Sequence, residues 1–376
     1  MNNTDKRYEI DMVNGPILKK MLLFTIPLMF SSILQLLFNA ADIVVVGRFA
    51  GDNSLAAVGC NGALINLMTN VFLGLSVGGN VLAARDYGAG DEEELSKTVH
   101  TAMLLGIISG LVLTVAGVIF APQLLELMQT PENVLPLAAL YLRIYFLGMT
   151  AMMVYNFGSA LLRSIGDTKR PLYYLVAAGV INVILNLIFV IVFQMDVAGV
   201  GLATVISQCV SAALVVRCMM REQGGIRLVL RRLHIYKDKL LQIVQVGLPA
   251  GFQGAVFSLS NVVIQSSVNL FGETVVAGNS AAMNLEGFVY VSMNAFHQAA
   301  ISFTSQNVGA GRRDRIRKIL LTAEGCVIVT GVLFGWTMYA FGRPLLHIYS
   351  SSETVADAGM VRMQIILLTY ALCGMM

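Results

Sequence analysis

The stretch MLLFTIPLMFSSILQLLFNAADIVVV, residues 21–46, contains one charged side chain, Asp42. A helix rises about 1.5 Å per residue, so roughly 20 apolar residues cross the ~30 Å hydrocarbon layer of a bilayer. This run is long enough to span, is too long for a signal-peptide core and lacks a small-residue cleavage pattern. It therefore reads as a retained transmembrane helix.

Working outward, similar runs fall near 55–83, 98–121, 135–158, 171–193, 197–217, 240–270, 274–304, 319–342 and 357–376, which with 20–46 makes ten expected spans. The composition agrees: across 376 residues 56% are hydrophobic and 12% charged, with a mean hydropathy of +0.73. Soluble domains carry about 25% charged residues. The class expected is all-α integral membrane protein, embedded in a lipid bilayer.

The basic residues set the orientation. With the N-terminus in the cytoplasm, Lys19, Lys20, Arg85, Lys97, Arg163, Lys169, Arg170, the 217–239 segment and the 312–318 loop all lie inside. The reverse topology would expose nearly all of them, against the positive-inside rule. The expected location is the plasma membrane. A formal charge of +3 is accounted for by topology, so no nucleic-acid partner is expected. The five cysteines form no CxxC pair and read as small packing residues.

The segment 221–239, with Arg221, Arg227, Arg231, Arg232 and Lys237 around Gly224-Gly225, reads as a cytoplasmic linker between a six-helix lobe (1–220) and a second lobe (240–376). The two sides match at a nearly constant offset. Pro27 pairs with Pro249 and Asn39 with Asn261 at 222 residues, and Gly88-Ala89-Gly90 pairs with Gly309-Ala310-Gly311 at 221. Six spans in the first repeat start the second in the same orientation, which predicts parallel repeats, two lobes and a cavity between them. The second repeat ends after about four helices, so the sequence reads as lacking two.

An ionisable residue within a span is a functional candidate by default. Asp42 follows Asn39 and Gln35 at separations of three and seven, on one helical face. Asn182 and Asn186 share a face at i,i+4, and Thr204 follows the Gly199/Gly201 turn. A carboxylate among amide and hydroxyl oxygens suits a proton or a small hard cation such as sodium. Asp42, Asn182, Asn186 and Thr204 are the expected ion-coupling set. Gln35, Asn39 and Glu286 are expected on the substrate cavity, although Glu286 also suits a polar seam between packed helices. No HExxH, GxSxG or GxxxxGK[ST] motif occurs, so neither catalysis nor a bound cofactor is expected, and an ion gradient is left to drive transport.

QLLFNAADIVVVGRFAGDNSLAAVG (35–59), YGAGD (87–91), GDTKRPL (166–172), GLPAGFQ (247–253) and QNVGAG (306–311) together resemble the multidrug and toxic compound extrusion (MATE) family along essentially the whole chain. The resemblance implies twelve helices in two lobes, alternating access, and inward flow of protons or sodium ions coupled to export of small amphipathic, usually cationic, compounds by a monomer. It also implies a coupling role for Asp42. The chain departs from the family pattern at Asn186, where an acid is common, at Phe257, where some branches carry glutamate, and in ending near its tenth span. A lipid-linked glycan flippase, which needs a cationic cavity, and a non-transporting receptor or assembly protein are the rival readings.

Overall fold

The computed structural model describes residues 8–128, 130–349 and 352–375, and among these the regular structure is all helix, with no strand. Seven helices are long and apolar enough to cross a membrane, or eight if one bent pair is a single span. The protein is a multi-pass membrane protein.

In the first half α1 (Ile17–Phe49), α2 (Asp52–Ala89), α3 (Glu92–Leu127), α4 (Leu135–Leu147), α5 (Met149–Ser164), α6 (Lys169–Leu187) and α7 (Asp196–Arg221) follow in order. The second half holds α8 (Lys237–Val268), α9 (Glu273–Gly309), α10 (Arg313–Ala340), the short α11 (Gly342–His347), α12 (Glu353–Leu367) and α13 (Tyr370–Gly374). Of the ten expected spans, α9 and α12 fall outside the apolar set. α9 is too polar because its side chains meet the other lobe and a cavity, and α12 has 15 residues.

The span expected at 135–158 is two helices, α4 and α5, bent by 47°. The bend falls at Gly148, where an added Cβ would press on Gln208 and Val205 of α7. The Thr114 hydroxyl donates to the Phe146 carbonyl at 2.8 Å, satisfying a backbone group at the break.

Helix ends follow local chemistry. α2 stops at Gly90, whose φ of +73° suits a residue without a Cβ, and α3 starts at Asp91, whose carboxylate accepts the Glu94 N–H at 3.0 Å. The lipid-facing sides stay apolar and exposed, as at Leu111, Val115 and Ile119 of α3 and Val329, Leu333 and Trp336 of α10.

Two buried cores form. One joins α2 to α7 with the far half of α1 (Val45, Val46); the other joins α9, α10 and α12 with the near half of α1 (Met21, Phe24, Leu28). Pro27 is buried within the near half. In the same way the start of α8 packs on the first half: Ile243 belongs to its core, and Lys239, almost wholly buried, is bonded to Asp86 at 2.7 Å and Glu94 at 2.9 Å. The linker lies down on α3, with the Val229 N–H donating to His100 Nε2 at 3.1 Å and the Tyr236 N–H to Thr101 at 3.2 Å.

The lobes meet along the half of the bundle that carries the N-terminus and the linker. A methyl on Gly74 or Gly78 would overlap the α8 backbone at Gly251 or Ile243, so the helices touch backbone to backbone. Near the end of α2 a Cβ on Gly88 would overlap the Gln306 carbonyl, and one on Gly309 would overlap the Arg85 carbonyl. These two contacts exchange residues 221 apart, the repeat offset seen in the sequence.

Candidate functional site

Asp42 lies three-quarters of the way along α1, where the helix packs on α6. Its Oδ1 accepts a hydrogen bond from the Asn186 side-chain amide. The same amide nitrogen donates to Asn182 Oδ1 at 3.3 Å, and the Asn182 amide donates to Thr204 Oγ1 at 3.4 Å. Thr204 in turn gives its proton to the Val200 carbonyl at 2.9 Å. Asn182 and Asn186 are buried, and Asn186 Oδ1 has no hydrogen-bond partner. Immediately beyond Asn186 the helix widens into a π-helical turn, Ile188–Val192, a distortion frequent at functional sites.

The four residues expected to couple ions thus form one chain of contacts across α1, α6 and α7. The donor set is one carboxylate with neutral amide and hydroxyl oxygens. Among the described residues no group of three or more His, Cys, Asp or Glu side chains could hold a metal. The cluster suits a proton or an alkali cation.

Gln35 and Asn39 share the face of Asp42 by spacing but not its contacts. Both are exposed, and neither makes a side-chain hydrogen bond among the described residues.

Glu286 is buried and held by Arg362 of α12 through two parallel bonds, Nε to Oε1 and Nη2 to Oε2, both 2.8 Å. The third arginine nitrogen donates to Asn279 Oδ1 at 2.7 Å, and the Asn279 amide donates to Gln265 of α8 at 3.1 Å. Of the two readings Glu286 allowed, this geometry fits the polar seam: the carboxylate ties α9 to α12 through Arg362. The sequence places Arg362 within the last apolar run, 357–376, with no sign of its partner.

A cavity of about 260 Å³ lies between the lobes, lined by α2, α5, α8 and α9. Its polar lining includes Asn70, Asn80, Arg163, Gln253, His297 and Gln298, and neither Gln35, Asn39 nor Glu286 is among its walls. Two bonds close the lobes at its base: Ser302 donates to Asn80 Oδ1 at 3.1 Å, the Asn80 amide being held on the Ala160 carbonyl of its own lobe at 2.7 Å, and the Gln306 amide donates to the Ser164 carbonyl at 2.6 Å. Arg163 is the clearest miss of the sequence reading, which set it in an inner loop. α5 runs one residue past it, to Ser164, and turns the guanidinium toward the cavity. A basic residue at the end of an apolar run looks topogenic unless the length of the helix is known.

Two packed helical lobes, a polar cluster within one of them and a cavity sealed at one end define a membrane transporter. The MatE family profile matches residues 27–188 and 249–375, and the chain belongs to that family of multidrug efflux transporters. It is 28% identical over 363 residues, 95% of this chain and 78% of the relative, to the Probable multidrug resistance protein YoeA of Bacillus subtilis. It is 25% identical over 355 residues to the FAD transporter of Shewanella oneidensis, covering 92% of this chain and 77% of that one. Among solved structures, an outward-facing conformation of a multidrug resistance MATE family transporter superposes with a TM-score of 0.90 at 23% identity, over 98% of this chain and 83% of that one.

Proposed function

We propose that the chain is a secondary antiporter of the cell membrane, N-terminus in the cytoplasm, that exports small organic amphipaths as a monomer against an inward flow of protons or sodium ions through Asp42. The observation that carries this reading is the contact chain Asp42–Asn186–Asn182–Thr204 with its one unpartnered buried oxygen. Closure of the lobes at the end that carries the N-terminus supports a state poised to exchange with the outside.

The chemistry follows from the hydrogen bonds. While Asp42 is ionised, the Asn186 amide donates to it and ties α1 to α6. A proton on the carboxyl cancels the charge that the amide satisfies, and rotation of the amide lets Asn186 Oδ1 accept from it. A sodium ion would instead draw the carboxylate, both asparagine oxygens and the Thr204 hydroxyl together. Either ligand changes the α1–α6 contact, and it drives transport to the extent that its affinity differs between the two lobe arrangements.

The test uses proteoliposomes loaded with cationic, neutral and anionic fluorescent amphipaths under an imposed proton or sodium gradient. Transport of at least one probe should collapse with the matching ionophore. Asp42→Asn should cut coupled flux about tenfold or more, a loss of ~1.4 kcal/mol or more of coupling, without lowering the melting temperature. Full coupled flux through Asp42→Asn would sink the assignment.

A further inference from the structure

Among the described residues, three buried or half-buried cations are paired with carboxylates. Lys239 faces Asp86 and Glu94, Arg170 faces Asp167 and Glu222, and Arg362 faces Glu286. Arg163 differs. It is half-buried on the wall of the interlobe cavity, and among the described residues its guanidinium has neither a carboxylate partner nor a hydrogen bond, Tyr155 being the ionisable group beside it. No aspartate or glutamate lines that cavity among the described residues; the rest of its polar lining is amide and imidazole.

A guanidinium cannot shed its proton, and it is costly to hold in a membrane interior without a counter-charge or water. Arginines kept there face cavities and mark solute pathways. The planar fork of N–H groups matches the two oxygens of a carboxylate or a phosphate. The surrounding amides of Gln253, Asn294 and Gln298 carry both donors and acceptors, enough to orient an oxyacid and the polar atoms beside it. A cavity of about 260 Å³ is slightly smaller than the roughly 300–1,000 Å³ of pockets that enclose whole drug-sized ligands. It fits a headgroup, with an apolar remainder extending between the lobes away from the sealed end.

We infer that the cavity between the lobes binds an oxyanionic headgroup, carboxylate or phosphate, on Arg163, so that the exported substrates are amphipathic anions. The inference rests on the transport reading above and changes its expected cargo, which the family resemblance makes cationic. Asp42 and the headgroup site stand apart: no residue of the Asp42 cluster lines the cavity. An inward cation and an outward anion would then occupy separate places, one within the first lobe and one between the lobes, and couple through the arrangement of the two lobes.

Binding and transport are measured separately on the intact chain. Purified protein in nanodiscs is titrated calorimetrically with dodecanoate, dodecyl phosphate, dodecanamide and dodecyltrimethylammonium, a set that shares a tail and differs in the head. The anions should bind about tenfold or more tighter than the amide, the ~1.4 kcal/mol expected of one charge-assisted pair, and more tightly than the cation. Arg163→Gln should erase the difference, Arg163→Lys should keep part of it, and Gln298→Glu should erase it with Arg163 in place. The last variant decides the matter if Arg163→Gln melts early. Equal or tighter binding of the amide or the cation, or a preference untouched in Arg163→Gln and Gln298→Glu, would overturn the anion site. A preference for phosphate over carboxylate, or the reverse, identifies the head and supports the site in either case. The same probes are then followed in proteoliposomes with an ion gradient. Anion preference in binding with no gradient-driven flux upholds the site and defeats the transport reading; Asp42-dependent flux of the cation with no anion preference does the opposite.

Discussion

The Arg362–Glu286 pair is a case where one side chain decides what its partner is for. A carboxylate 5% exposed is tolerable because both of its oxygens are bonded. Removing the arginine leaves it buried and unpaired, which costs about 3–5 kcal/mol, whereas replacing both partners with apolar groups is often neutral. Arg362→Met is therefore expected to lower the melting temperature in detergent sharply, and the double variant Arg362→Met/Glu286→Leu to recover most of it with transport intact. Loss of transport in a double variant that melts normally would return Glu286 to the substrate path. The pair was not legible in the sequence because its members stand 76 residues apart. The Asp42 cluster was more legible: acids within spans are rare, and Asn182 and Asn186 are related by one helical turn.

At the scale of the helices, glycine allows the lobes to close at the end that carries the N-terminus. Gly88 and Gly309 bring α2 and α9 together so closely that each meets a carbonyl of the other helix. A single methyl on either requires the backbones to part. Gly88→Ala and Gly309→Ala are expected to shift the population toward lobes separated at that end. Spin labels at the exposed Glu93 and Arg317 would report a longer distance by electron resonance, with the double variant longer still. Unchanged distances would mean that the closure does not depend on these contacts. The repeat offset drew attention to both glycines, since GAG recurs in both halves. That they meet each other's helices depends on packing across the pseudo-symmetric interface, which the offset alone does not specify.

For the whole molecule, the chain before α1 acts as a strap over the sealed end. Tyr8 lies under Arg170 at 5.4 Å, Tyr87 donates to Glu9 at 2.9 Å, Asn307 donates to the Met12 carbonyl at 3.0 Å, and Arg315 donates to the Gly15 carbonyl at 2.9 Å. It thereby touches both lobes. Asp11 folds the strap: Oδ1 accepts the Val13 and Asn14 N–H groups at 3.0 and 3.1 Å, and Lys20 pairs with Oδ2 at 3.3 Å. Burial pushes this carboxyl up, but the two N–H groups and Lys20 outweigh it and hold it below the ordinary 3.8. A carboxyl lowered on folding stabilises above its unfolded value and loses that contribution as pH falls through its folded one. Hydrogen exchange over residues 9–15, corrected for the intrinsic pH dependence, should therefore quicken a few-fold as pH drops below 3.8. Asp11→Asn should show the quicker exchange at neutral pH. Protection that neither change alters would remove Asp11 from the strap's anchoring.

The amino-acid sequence by itself determined the membrane class, the helical spans of the first half apart from the break at Gly148, and the grouping of Asp42 with Asn182, Asn186 and Thr204. Hydropathy, charge asymmetry and helical period are local properties of a chain in a bilayer. Only the tertiary structure decided that α1 and α8 each begin against the opposite half, that Glu286 is consumed by Arg362, and that Arg163 faces a cavity. Those facts depend on which helices touch and where each one ends, and contacts between residues 76 to 300 positions apart leave no periodic trace in the sequence.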